Sequence, residues 1–268
     1  MVSTVSLVCR GWMEAVAGPY CWTEIDVEDW CRSHWNRCNT GSLRCGLLID
    51  SVVRKLVRRS KCSVQKLSAY RLGDAGFSYI ANCGRCLKVL RIPVSEITDE
   101  MVEKHAKSLM ILTELDISNC LKITSRGLET FGKNCKSLTH LKRNMPPPEL
   151  GGTSFPVIPS EIDDHEAFTI AENMAGLSHL ELGFARLTDH GLGQILTRCK
   201  ALMYLNIEGC WNVSLEGDLE QRCKRLLIFK NPWIDENESE RSTENESERS
   251  TENDSREADQ TGDDGSSS

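Results

Sequence analysis

Residues 112–128 read LTELDISNCLKITSRGL, and residues 202–219 read LMYLNIEGCWNVSLEGDL. In the first stretch Leu112, Leu115 and Ile117 stand at strand spacing on one side. Glu114, Asp116 and Ser118 fall on the other, because successive side chains of a strand point to opposite faces. Beyond Cys120 the spacing lengthens to that of a helix, so the unit reads as one short strand followed by one helix. The same L-x-x-L-x-L/I frame starts again at Leu87 (LKVLRI) and Leu177 (LSHLEL), with weaker copies at Val64 (VQKLSA), Leu138 (LTHLKR) and Leu226 (LLIFKN). Successive starts are 23, 25, 26, 39, 25 and 24 residues apart, which makes this a repeat with one long interval.

The segments between the frames repeat as well. Cys120 and Cys210 follow the strand, where a small soft side chain packs into a turn. An aliphatic residue and then Thr98, Thr124, Thr188 or Ser214 come next, at positions suited to cap the following helix. Gly127-Leu128 and Gly191-Leu192 follow, and Cys62, Cys86, Cys135, Cys199 and Cys223 stand near helix ends. One such turn cannot bury its apolar face alone; three or more stacked turns make a continuous core.

The pattern resembles the cysteine-containing class of leucine-rich repeats, whose frame is L-x-x-L-x-L-x-x-C-x-x-I-T-D-x-G-L, over about residues 50–232. The resemblance implies an α/β leucine-rich-repeat solenoid of about seven strand-helix turns, spanning residues 64–234. Residues 5–30, VSLVCRGWMEAVAGPYCWTEIDVEDW, have a separate look. Val5, Val8, Trp12 and Val16 share a helical face, Gly18-Pro19 ends it, and Trp22 and Ile25 fold back. The segment is similar to the second half of an F-box, at Val8, Cys9, Trp12, Gly18, Pro19, Trp22, Ile25 and Asp26. The sequence at hand starts after the Leu-Pro pair and first helix with which an F-box opens.

An F-box followed by such repeats, a plant subfamily being the nearest in detail, implies a substrate-recognition adaptor of an SCF-type ubiquitin ligase. Val8, Cys9, Trp12 and Trp22 are then the candidates for contact with a Skp1-like linker subunit, and the repeats hold a protein substrate. Two alternatives stay open: a protein-binding solenoid with no ubiquitin-ligase linkage, and an N-terminal segment that merely caps the first repeat. The expected layout is a partial F-box-like segment at 1–30, a helical linker or cap at 31–63, the solenoid at 64–234 and an acidic tail at 235–268.

Composition narrows the partners. Of 32 basic and 39 acidic residues, 3 and 13 lie in 235–268, which leaves 29 and 26 before them. Neither part shows the basic stripe of a nucleic-acid binder. The tail repeats ESERSTEN at 238–245 and 246–253 and has almost no apolar residue, a composition expected to be disordered. No secretory signal or membrane-length apolar run is evident, so the 13 cysteines are expected to be reduced, in nucleus or cytoplasm. Residues 143–164, RNMPPPELGGTSFPVIPSEIDD, account for the long interval; five prolines and a Gly-Gly pair read as an inserted loop. Its Phe155, Val157 and Ile158 serve either to fold the loop onto the flank or to bind.

No cofactor, metal or catalytic residue is expected. Cys31, His34, Cys38 and Cys45 are spaced loosely for zinc and read as an amphipathic helix with Trp30 and Trp35. Cys83 and Cys86 form a C-x-x-C at a helix end, outside any redox context. No phosphate-binding, dinucleotide or hydrolase signature occurs. The binding candidates are the outward strand residues: Lys66, Ser68 and Tyr70; Val89 and Arg91; Glu114 and Asp116; His140 and Lys142; His179 and Glu181; Tyr204, Asn206 and Glu208. Tyr70, Arg91 and Tyr204 stand out, since Tyr and Arg are frequent hot-spot residues.

Overall fold

The computed structural model describes residues 18–37, 43–147 and 162–233. Strands and helices alternate in order: β1 (Glu24–Asp26), α1 (Glu28–Arg37), α2 (Leu43–Arg59), β2 (Lys66–Ser68), α3 (Asp74–Asn82), β3 (Val89–Arg91), α4 (Asp99–His105), β4 (Glu114–Asp116) and α5 (Ser125–Asn134). Then follow β5 (His140–Lys142), α6 (His165–Asn173), β6 (His179–Glu181), α7 (Asp189–Arg198), β7 (Tyr204–Asn206), α8 (Leu219–Lys224) and β8 (Ile228–Lys230). All eight strands lie in one parallel sheet in sequence order. The described residues through Pro232 lie within one compact unit. No helix among them is long and apolar enough to cross a membrane.

The frames lead one to expect seven turns; the sheet has eight strands. The additional one is β1, the Ile-Asp strand of the F-box-like segment, which pairs Ile25 with Leu67 and leaves the solenoid no boundary there. Ile25, Leu67, Leu90, Leu115, Leu141, Leu180 and Leu205 form one buried column, and Phe229 closes it half-buried. Three-residue strands have no independent stability. Each column leucine removed from water contributes about 1.5–3 kcal/mol, and this burial exists only when the neighbouring turn is in place.

The backbone ladder continues past each strand. Arg71, Val94, Asn119, Met145, Phe184 and Gly209 donate their N–H to Pro93, Ser118, Asn144, Gly183, Glu208 and Pro232. Five of these six, all but Met145, have left-handed backbone, with φ of 57, 56, 59, 58 and 74°. Only Gly209 adopts it without a Cβ penalty, and its hydrogen faces the Phe184 ring, where a methyl group would collide. Val94 is β-branched and holds this conformation against its own preference, so the ladder dominates locally.

Two devices tie each turn to the next. At the strand exit the thiol of Cys120 donates to Ile92 O at 3.2 Å and accepts from Ser95 N; Cys210 donates to Leu182 O at 3.0 Å. These cysteines are thus hydrogen-bonding groups as well as small fillers. Asp74, Asp99, Asp164 and Asp189 at the helix starts, and Asp50 in the middle of α2, each accept from the backbone of the following turn. Asp74, Asp99 and Asp164 also accept the hydroxyls of Thr98, Thr124 and Thr188. A Cβ on Gly127 would lie 2.5 Å from the Asp99 carboxylate, and Gly191 faces Asp164 in the same way, so the Gly of the G-L pair makes room for the preceding acid. The expected helix caps hold at Thr124 and Thr188, which accept from Arg126 and His190. Thr98 makes no such bond, and Ser214 does not precede a helix, since α8 starts only after Asp218.

Between α5 and α6 the acid is absent, because Ser125 stands where the other turns carry Asp99 or Asp189. Arg143, at the start of the inserted segment, takes over this link. Its side chain is 2% exposed; it donates to Cys120 O and Ile123 O and forks onto Glu166 in the first turn of α6 at 2.9 and 3.2 Å. Arg143 and Met145 also belong to the ladder, so at its near end the 143–164 stretch is still regular repeat. Phe155, Val157 and Ile158 lie outside the described residues, as does the tail.

The helix-end cysteines divide. Cys135, Cys199 and Cys223 are buried, whereas Cys62 and Cys86 are exposed, so three of these five helix-end positions serve packing. Burial pushes the thiols of Cys120, Cys135 and Cys210 up to about 12, and those of Cys199 and Cys223 to about 11.

Two measurements check this account. Replacing Arg143 by Met leaves two carbonyls and Glu166 without their donor, and is expected to cost about 3–5 kcal/mol in chemical denaturation. A loss under about 1 kcal/mol would mean that the pair is solvent-screened. Alkylation of native protein at pH 8 with peptide mapping should modify Cys21, Cys62 and Cys86 and leave Cys31, Cys120, Cys135, Cys199, Cys210 and Cys223 untouched until denaturant is added.

Candidate functional site: the open sheet face

In-register parallel pairing turns each outward strand position into a row. One row runs Glu24, Lys66, Val89, Glu114, His140, His179, Tyr204, Ile228; the other runs Asp26, Ser68, Arg91, Asp116, Lys142, Glu181, Asn206, Lys230. All the outward candidates within the strands therefore share one face, with no helix between them. The candidates beyond the strand ends differ. Tyr70 is half-buried under the Arg32 guanidinium, 4.2 Å from its ring, with Arg71 at 5.5 Å. Glu208 stays at the rim, accepting from Asn206 at 2.9 Å and pairing loosely with Lys230 at 3.6 Å.

The first row contains a stack of planar rings. His140 and His179 lie 5.3 Å apart, and His179 and Tyr204 3.9 Å apart and nearly parallel, continued by exposed Ile228. The second row is ionic. Glu181 accepts from Lys142 at 2.8 Å, His179 at 2.9 Å and Asn144 at 3.2 Å. Burial by itself would raise the Glu181 carboxyl, but these three donors outweigh it and hold the group below its ordinary value of 4.5. Asp116 shows the opposite balance: burial raises it above its usual range, despite the N–H of Ser118 at 2.9 Å and nearby Lys142. Arg91 pairs with Glu114 at 2.7 Å, and this bond raises its pKa.

Asn144 was hidden in sequence inside the apparent loop. It joins Ser118, Glu181 and the Gly183 N–H, linking three turns. Ile228 and Lys230 extend the rows past Tyr204, and the LLIFKN frame was the available signal for them. Glu24 and Asp26 extend the rows at the other end, a placement that only strand pairing reveals. Of the N-terminal candidates, Val8, Cys9 and Trp12 lie outside the described residues. Trp22 is half-buried, with Arg59 5.2 Å from its ring. In the described part of the region weighed for zinc, Cys31 is buried and His34 stacks on Trp30 at 5.2 Å; among the described residues no group of three His, Cys, Asp or Glu side chains converges on a metal position.

A one-sided sheet of stacked leucine frames, tied by Cys and Asp links and opening a mixed ionic and aromatic face, defines a leucine-rich-repeat protein. The chain is 37% identical to F-box protein FBW2 of Arabidopsis thaliana over 218 residues, covering 81% of this chain and 64% of that protein. It is 32% identical to F-box protein SKIP1 of the same plant over 231 residues, covering 83% and 76% respectively. Putative F-box/LRR-repeat protein 23, also from Arabidopsis thaliana, is 32% identical over 218 residues, 81% of this chain and 45% of that one. No protein-family model matches. The chain belongs to the plant F-box/leucine-rich-repeat proteins, and it spans 64% of the length of FBW2 and under half of protein 23.

The Glu181 junction predicts a pH signature. A carboxyl depressed in the fold stabilises it fully above the ordinary value of 4.5, and that contribution is lost as pH falls through the folded value. Glu181→Gln should therefore lower stability by about 2 kcal/mol at pH 7. The gap to wild type should close in thermal melts toward pH 3; a gap independent of pH would sink the assignment.

Proposed function

We propose that the chain is a substrate-recognition adaptor of an SCF-type ubiquitin ligase, holding a target protein on the open sheet face and performing no chemistry itself. The ring stack His140–His179–Tyr204 beside the paired ions of Arg91, Glu114, Lys142 and Glu181 carries the reading. These side chains are held in fixed rows, yet the column behind them supplies the core. Planar rings and a guanidinium displayed with little conformational freedom suit a protein surface. The family implies that a Skp1-like linker subunit joins such a chain to the ligase.

The test is affinity capture from plant tissue with wild type and an Arg91→Ala, His140→Ala, Tyr204→Ala variant of unchanged melting temperature. Wild type is expected to retain a target and a Skp1-like subunit, and the variant to lose the target at least tenfold while keeping the linker. Retention of the target by the triple variant, with loss on deletion of residues 148–161 or on truncation after Ile234, would place recognition elsewhere. Absence of any linker subunit from both captures would favour a solenoid without ligase linkage.

A further inference from the structure

The helix layer at the N-terminal end carries a charge imbalance that its own contacts leave unanswered. Helix α2 turns Ile49, Asp50, Val53 and Val57 inward, all buried. With 3.6 residues per turn, the opposite side comprises Leu47, Leu48, Ser51, Arg54, Lys55, Arg58 and Arg59. Leu47 is 66% and Leu48 40% exposed, and the four basic residues are exposed as well. Among the described residues, none of Arg54, Lys55, Arg58, Arg59 and the neighbouring Lys61 has a carboxylate within salt-bridge distance.

Other helices of the molecule handle their surface charge differently. α1, α5 and α8 pair Arg32 with Glu28, Lys133 with Glu129 and Lys224 with Glu220, each four residues apart. α2 instead places Arg54 over Arg58 and Lys55 over Arg59, like charges at a spacing where they repel. Its described carboxylate, Asp50, is turned inward and accepts from Gly73 N at 2.8 Å. The helix C-terminus favours cations in the last turn, which accounts for Arg58 and Arg59 but not for Arg54 and Lys55 in the turn before it.

We propose that the outer face of α2 is a docking site for an acidic amphipathic polypeptide segment, separate from the open sheet face and independent of what that face binds. Carboxylates of the segment pair with Arg54, Lys55 and Arg58, and its apolar side chains cover Leu47 and Leu48. A shallow groove between α2 and α3, lined by Ser51, Arg54, Lys55, Arg58 and Tyr79, receives the acidic side. Two observations favour a polypeptide over a nucleic acid. The positive charge is local, since residues before 235 hold 29 basic against 26 acidic side chains and so present no general basic field. Tyr79, the ring in the groove, has Arg54 over it at 5.3 Å, which leaves no free platform for base stacking.

The probe is a fluorescein-labelled synthetic helix of repeating Glu-Glu-Leu-Leu units, titrated with the full chain by anisotropy. A Lys-Lys-Leu-Leu counterpart and a single-stranded RNA of equal charge serve as controls. The Glu peptide is expected to bind at least tenfold more tightly than either control and to weaken with added salt. Arg54→Glu with Arg58→Glu should reduce its affinity at least tenfold, and Leu47→Ser with Leu48→Ser should reduce it several-fold at unchanged salt dependence. All four positions are exposed, so melting temperatures should hold or rise; Arg54→Gln with Arg58→Gln serves if charge reversal perturbs the fold. Undiminished binding by the arginine variants, equal binding of the Lys peptide, or displacement of the Glu peptide by RNA would each overturn the proposal. Open-face binding of a captured target should be unaffected by these variants, so the two assignments fail separately.

Discussion

A leucine in this protein is buried only by the leucines of the turns before and after it. Strands of three residues cannot hold themselves together, and a single helix of six to seventeen residues laid on such a strand leaves half its apolar surface wet. Each turn of the column from Ile25 to Leu205 is therefore stable only with its neighbours in place, and the polar links keep the turns in register. β1 is the clearest case. A segment that resembles part of another module by its residues becomes the first rung of the sheet, because Ile25 continues the column and its backbone satisfies the open edge of β2.

Polar links hold the register that hydrophobic stacking leaves loosely specified. Aspartates at the helix starts reach forward to the next turn's amides and threonine hydroxyls, and glycines in that turn clear their path. Where Ser125 breaks the series, Arg143 bridges the same junction from the strand side through two carbonyls and Glu166. The replacement also stands beside the departure of the long inserted segment. The junction with the least regular covalent connection is thus held by a buried arginine clamp.

With the core assigned to one side of the strands, the other side stays open. Its rings and ions are pre-organised: His179 is stacked on Tyr204 and bonded to Glu181, which Lys142 and Asn144 also hold. Such a face surrenders little entropy when a partner arrives. The outer side of α2 is the contrasting surface, with basic side chains of one sign and no carboxylate paired to them among the described residues.

The sequence by itself determined the repeat, the strand frames, the alternation that sends Glu114, His140, His179 and Tyr204 outward, and the resemblance at Val8 to Asp26. All of these follow from periodicities of two and 3.6, which are local properties of the chain. It also carried the Thr-Asp and Gly-Leu pairs, though only as letters: that Asp99 serves Thr124 and needs Gly127 to be small depends on how one turn sits on the next. The burial of Arg143, the covering of Tyr70 by Arg32, the linking role of Asn144 and the bare positive face of α2 were decided by tertiary structure alone. Each depends on which groups approach across 20 or more residues of chain, and an arginine reads the same in sequence whether its partner is a buried carboxylate, an aromatic ring or water.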